Sequence, residues 1–163
     1  MVFRGTVLSV GELMRRSDGA PAPTTPNVGV RHTAAQNAAR VAELMHTGEP
    51  SSAAWRFGIL QTLDDYRSTL HRGGPTLAAG VFTDPPSPTG SREVDAAFAA
   101  LAEHLAKQDG WTIPNWTADA DRTVHGRWFA TTPEVFRDEA LADSPPAFRK
   151  RGIFITTRAL SRA

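Results

Sequence analysis

The stretch from Ser91 to Gly110 constrains this chain most. It contains no internal proline or glycine, and Val94, Phe98, Leu101 and Leu105 recur at three- to four-residue steps. That spacing places the four side chains on one face of an α-helix. Ser91 stands at the N-cap position, Glu93 in the first turn and Gly110 just past the end, so start and stop signals agree with the period. Ala96, Ala97, Ala99, Ala100 and Ala102 fill the remaining positions and raise intrinsic helix propensity. One such helix must bury its stripe against others, which makes the expected fold mainly α.

Partners for that helix lie upstream. Thr33-Ala34-Ala35-Gln36 has capping-box spacing, and Ala34, Ala38, Val41 and Met45 form one face before Gly48 and Pro50. Ser51 or Ser52 caps a second segment in which Trp55, Ile59, Leu63, Tyr66 and Leu70 repeat, until Gly73-Gly74 stops it. Pro75 to Phe82 reads as a further helical turn, and the prolines of Asp84–Gly90 make a stiff connector. The hairpin resembles one tetratricopeptide-like unit without a second copy at fixed period, so no solenoid is expected. Downstream, Thr132-Pro133-Glu134 opens a short helix ending near Ala142. Pro145 opens a turn through Arg151, and Ile153 to Ile155 reads as a short strand. The fold predicted is a single-domain bundle of four to five helices with at most a short β element.

Residues 1–32 form the exception. Val2–Val10 leans toward strand, Ser9 to Glu12 has capping-box spacing, and Ser17–Val30 is rich in proline and glycine. An arm and linker over 1–32 and a helical domain over 33–163 follow, with Val2–Val10 able to pair with Ile153–Ile155 and tie the termini together.

Several function classes drop out on residue type. The 163 residues include no cysteine, which removes disulfides, thiolate metal sites and thiol nucleophiles and suits a cytoplasmic setting. With 18 basic and 17 acidic side chains, net charge is +1, so no global field steers the chain to nucleic acid or anionic lipid. No apolar run is long enough to span a bilayer, and the N-terminus makes a poor signal peptide. His32, His46, His71, His104 and His125 are scattered, with no pair at metal-ligand spacing. Asp64-Asp65 and Asp119 with Asp121 read as solvated acids, because no phosphate-binding loop or nucleophile elbow accompanies them. No metal, cofactor or catalytic residue is expected. A hydrolase or transferase site built from His104, His125 and nearby acids is the weakest reading.

The charge pattern is most informative near the C-terminus. Acids dominate Glu134, Asp138, Glu139 and Asp143, whereas from Ser144 onward the charged residues are Arg149, Lys150, Arg151, Arg158 and Arg162, all basic. Internal neutralisation, docking on an acidic protein surface and phosphate-backbone contact compete as explanations. Aromatics gather in the same third, and Arg127-Trp128-Phe129 and Phe148-Arg149 interleave them with bases, although core packing is the commoner fate of such residues.

The segments Ala34–Leu44, Leu101–Leu105, Arg127–Phe129 and, above all, Ser144-Pro145-Pro146-Ala147-Phe148-Arg149-Lys150-Arg151-Gly152-Ile153-Phe154-Ile155 resemble a family of uncharacterised bacterial proteins. Members often carry a lambda-repressor-like helix-turn-helix ahead of the helical part and tend to be encoded beside a predicted nucleotidyltransferase, as in toxin–antitoxin pairs. Residues 1–32 are too short and too rich in proline and glycine for that helix-turn-helix. The resemblance therefore implies a non-catalytic, antitoxin-like or accessory protein that occludes a cognate enzyme. Its expected docking residues are Phe148, Arg149, Lys150, Arg151, Phe154 and Trp128. A DNA-binding transcriptional regulator is the alternative, with nucleic acid a weaker partner than protein and the oligomeric state open.

Overall fold

The structure is a computed structural model and describes residues 29–161. Residues 1–28 of the expected arm, with the Val2–Val10 run and the Ser9–Glu12 capping box, lie outside the described residues. The chain from Val30 onward is mainly helical. Helix α1 spans Ala34–His46. Helix α2, Ser51–Ala54, runs into a π-helical segment, Trp55–Leu60, and on into α3, Gln61–Ala79. Helix α4 covers Arg92–Asp109, and α5 (Arg137–Asp143) and α6 (Pro146–Arg149) are short.

Local chemistry explains the boundaries. The α1 capping box forms in full, with Gln36 N donating to Thr33 Oγ1 at 3.2 Å and Thr33 N donating to Gln36 Oε1 at 3.1 Å. Ser91 caps α4, and Gly110 closes it in the left-handed region at φ 76°. Gly74 leaves helical geometry at φ 75°, ψ −177°, and Pro75 restarts the helix with a preset φ.

Helix α4 sits at the centre. It packs against the π-helical segment, α3, α6 and the short turn Asn115–Ala118. The alanines that the sequence offers as propensity residues are buried on all its faces: Ala96, Ala97, Ala99, Ala100, Ala102 and Ala106 are covered along with Val94, Phe98, Leu101 and Leu105. Small side chains let neighbouring backbones approach from several directions at once. Full burial of Phe98 and Leu101 contributes about 1.5–3 kcal/mol each.

The β element is a two-stranded parallel pair, β1 (Trp128–Phe129) with β2 (Ile153–Phe154), in which Trp128 aligns with Ile153 and Phe129 with Phe154. Among the described residues the partner of the Ile153 strand is therefore Trp128-Phe129. Close approach at this corner needs a glycine: Gly152 has φ 77°, and a Cβ there would meet Gly126 O at 2.5 Å. Ser144 braces the strand end, donating to Ala140 O at 2.7 Å and accepting from Ile155 N at 2.7 Å.

Candidate functional site

The expected docking block does not stand free. Phe148 is fully buried, with its ring 6.3 Å from Trp55 and 6.1 Å from His104. Arg151 is buried too, donating to Ala147 O and Thr117 O, both at 2.8 Å. Phe154 is buried against Phe129 at 5.5 Å, and Trp128 is half-buried, edge-on to Trp55 at 6.0 Å. Arg149 and Lys150 remain exposed, but Arg149 donates to Ala142 O and Ser144 O. The block's main work is thus internal, which corrects the expectation that Phe148, Arg151 and Phe154 contact a partner. Their spacing follows the short helix and strand of this corner, whose inner faces need apolar cover.

The internal partner of the basic residues is Glu103, from the central helix. Its side chain is 3% exposed and accepts from Lys107 Nζ at 2.7 Å, Lys150 Nζ at 2.6 Å and Arg151 Nη1 at 2.7 Å. Burial alone pushes this carboxyl up. Hydrogen bonds from Lys107, Lys150 and Arg151 outweigh burial and lower it from 4.5 to about 2. Internal neutralisation is therefore real, but among the described residues it runs from the tail to α4 and not to the acidic stretch Glu134–Asp143. In that stretch Glu134 pairs with Arg137 at 3.1 Å. The sequence held a signal for Glu103, namely an acid that directly follows the apolar run Ala99–Ala102 within the helix.

Other titratable groups serve packing. Asp65 accepts from buried Asn37 Nδ2 at 2.8 Å and from Gln61 Nε2 at 3.2 Å, so it joins α1 to α3 and is not merely a solvated acid. Tyr66 donates to Asp109 and accepts from Trp111 Nε1 at 2.8 Å. Burial and the Asp109 carboxylate push its hydroxyl well above its ordinary range. Burial lowers His104. Among the described residues no group of three or more His, Asp and Glu side chains converges on a point that could hold a metal ion.

What the sequence did not reveal is an apolar surface built around the π-helical segment. Such a segment widens the helix by one residue and commonly marks functional positions. Here Trp55 and Ile59 point into the core, while Arg56 and Phe57 project outward side by side, with the guanidinium 5.6 Å from the Phe57 ring centre. Gly58 lets the segment sit directly on Val41 and Phe98.

Grooves lie on either side of this Arg56–Phe57 ridge. One, about 490 Å³, is lined by Leu44 and Phe57 and rimmed by Arg40 and Glu43. The other, about 390 Å³, runs from Ser52 and Arg56 to Thr131 and Ser161. Thr131 also lines a third groove with Pro133, Phe136 and Arg158. The exposed large hydrophobics among the described residues are Phe57 at 51%, Val135 at 80% and Phe136 at 44%. Phe57 lines the first of these grooves, and Phe136, with Val135 beside it, lines the third, which shares Thr131 with the second.

Electrostatics of the surface are arginine-rich and close to balanced. Arg127 lies over Phe154 at 5.9 Å and Arg137 over Phe129 at 5.1 Å, pairing guanidinium with aromatic at the edge of β1. No helix among the described residues is long and apolar enough to cross a membrane. Comparison with protein families, with curated proteins and with solved structures gives no match.

Proposed function

We propose that this chain is a non-catalytic, antitoxin-like accessory protein that binds and occludes a cognate enzyme, of nucleotidyltransferase type, in the cytoplasm. The observation that carries the reading is that the large hydrophobics exposed among the described residues, Phe57 on the π-helical ridge and Val135–Phe136 after β1, stand beside surface grooves. Exposed aromatics cost solvation unless a partner covers them, and an apolar patch rimmed by polar groups marks an interaction site. Aromatic and arginine side chains together are the residues enriched where protein interfaces concentrate their affinity. Docking moves, in this reading, from the basic tail to the π-helical ridge and the segment that follows β1.

DNA binding finds less support. Among the described tail cations, Arg151 and Lys150 are held on Glu103 and Arg149 by backbone carbonyls, so these three are poorly placed to release counterions from a phosphate backbone.

The test is capture from native extract with the full chain as bait. F57S and the pair V135S/F136S should each lose the captured partner while keeping the wild-type helical circular dichroism. R149Q, at an exposed position outside the Glu103 network, should retain it. Capture that survives F57S and V135S/F136S but disappears with R149Q, its circular dichroism unchanged, returns the site to the tail and ends this reading.

A further inference from the structure

The middle groove has chemistry of its own. Trp55 and Leu60 line it, its polar lining includes Arg56, Ser52 and Thr131, and no carboxylate stands among the described residues that form it. All three polar side chains are exposed, and among the described residues none of them makes a hydrogen bond or ion pair. Arg56 lies over the Phe57 ring. Several other guanidiniums are closed onto backbone carbonyls. Arg67 donates to Leu160 O, Arg92 to Thr123 O and Ala120 O, and Arg149 to Ala142 O and Ser144 O. Unlike these three, Arg56 stands open in a concavity whose lining includes the hydroxyls of Ser52 and Thr131.

The walls of that concavity are fixed. Trp55 Nε1 donates to Ala159 O at 3.2 Å, and Arg67 holds Leu160 O at 3.2 Å, so the chain's last described turn is pinned beside the groove. Ser52 and Arg56, four residues apart on one continuous helical run, share a face. Thr131 is brought opposite by the contact of Trp55 with Trp128 and is held at φ 51°, a left-handed conformation that a β-branched residue resists. Backbone strain of that kind persists where surrounding structure enforces it, and it accumulates at binding sites.

A guanidinium with open donors can hold two oxygens of an anion side by side, and a hydroxyl can donate to each remaining oxygen. We propose that Arg56, Ser52 and Thr131 form a seat for a phosphoryl group, with Arg56 bidentate and the two hydroxyls completing the coordination. The groove is far larger than a bare tetrahedral anion requires, which leaves space over Leu60 for the group that carries the phosphate. The site goes beyond partner docking, since an anion can occupy it with no protein present.

The experiment is an amide and arginine-side-chain NMR titration of the full chain at constant ionic strength, with inorganic phosphate and with phenyl phosphate as probes. Saturable shifts at millimolar concentration are expected at Ser52, Arg56 and Thr131. R56Q should weaken binding at least about tenfold with the rest of the spectrum unchanged. R56K should weaken it less, because the charge stays while the bidentate fork is lost. R149Q should bind as wild type does. Tighter binding of phenyl phosphate assigns a monoester and equal binding assigns the free anion; both fill the proposed seat. Shifts that do not saturate, that are the same in R56Q, or that centre on Arg149 overturn it. Because no partner enters the titration, its failure leaves the capture result standing, and the reverse also holds.

Discussion

Removing the Glu103 carboxylate is the most informative perturbation of the fold. Glu103→Ala leaves Arg151, with its side chain 4% exposed, holding a full charge against only the carbonyls of Ala147 and Thr117. Breaking a buried ion pair from one side typically costs about 3–5 kcal/mol, because the surviving charge is desolvated without compensation. The carboxyl's own titration gives a similar figure. A drop from 4.5 to about 2, at about 1.4 kcal/mol per unit, is about 3 kcal/mol of preference for the ionised form in the folded state. For a chain of 163 residues, a loss of about 3–5 kcal/mol lowers the melting temperature by roughly 6–20 °C.

The sign in pH follows from the depressed value. Stability from Glu103 is fully present above about 4.5 and is lost as pH falls from there through about 2. Urea unfolding followed by circular dichroism should therefore show a wild-type advantage over E103A at neutral pH that closes toward pH 2. The double variant E103A/R151M, which removes both buried charges, should recover much of the loss. A cost for E103A below about 1 kcal/mol, the range of an exposed pair, or an advantage that does not change with pH, would refute the reasoning.

Two packing predictions accompany it. Ser144→Ala removes the acceptor of Ile155 N–H in a buried corner and should cost about 1–3 kcal/mol in urea unfolding, the penalty of an unsatisfied buried donor. Gly58→Ala places a Cβ 2.7 Å from Val41 Cγ2 and 3.2 Å from Phe98 Cζ. Valine in a helix has one strongly preferred rotamer and gives way poorly, so overpacking of about 1–3 kcal/mol should outweigh the gain of about 1 kcal/mol in helix propensity. Thermal melts of G58A should accordingly fall below wild type.

The helices were legible because their signals are local. Capping boxes, N-cap serine, terminal glycine and the stripes of α1, α3 and α4 depend on residues a few positions apart, and Thr33, Ser91, Gly74 and Gly110 behave as their neighbours imply. What depended on distant residues was harder to read. The strand partner of Ile153-Phe154 is fixed by how α6 and Gly152 return the chain to Trp128, and no periodicity encodes that return. The bases of the tail looked available because their counter-charge, Glu103, lies far back in the sequence on a helix surrounded on all sides. Trp55-Arg56-Phe57 carries no local mark of π-helical winding. The widening follows from seating Gly58 on α1 and α4, which is a tertiary event, and the exposure of Phe57 and Arg56 follows from it.

Hydrogen–deuterium exchange on the purified complex, compared with the free chain, tests the docking surface most directly. Protection is expected over 52–57 and 131–139, with little change over 149–151, where the side chains are already engaged within the fold. Protection confined to 149–151, with 52–57 and 131–139 exchanging as in the free chain, would contradict the account.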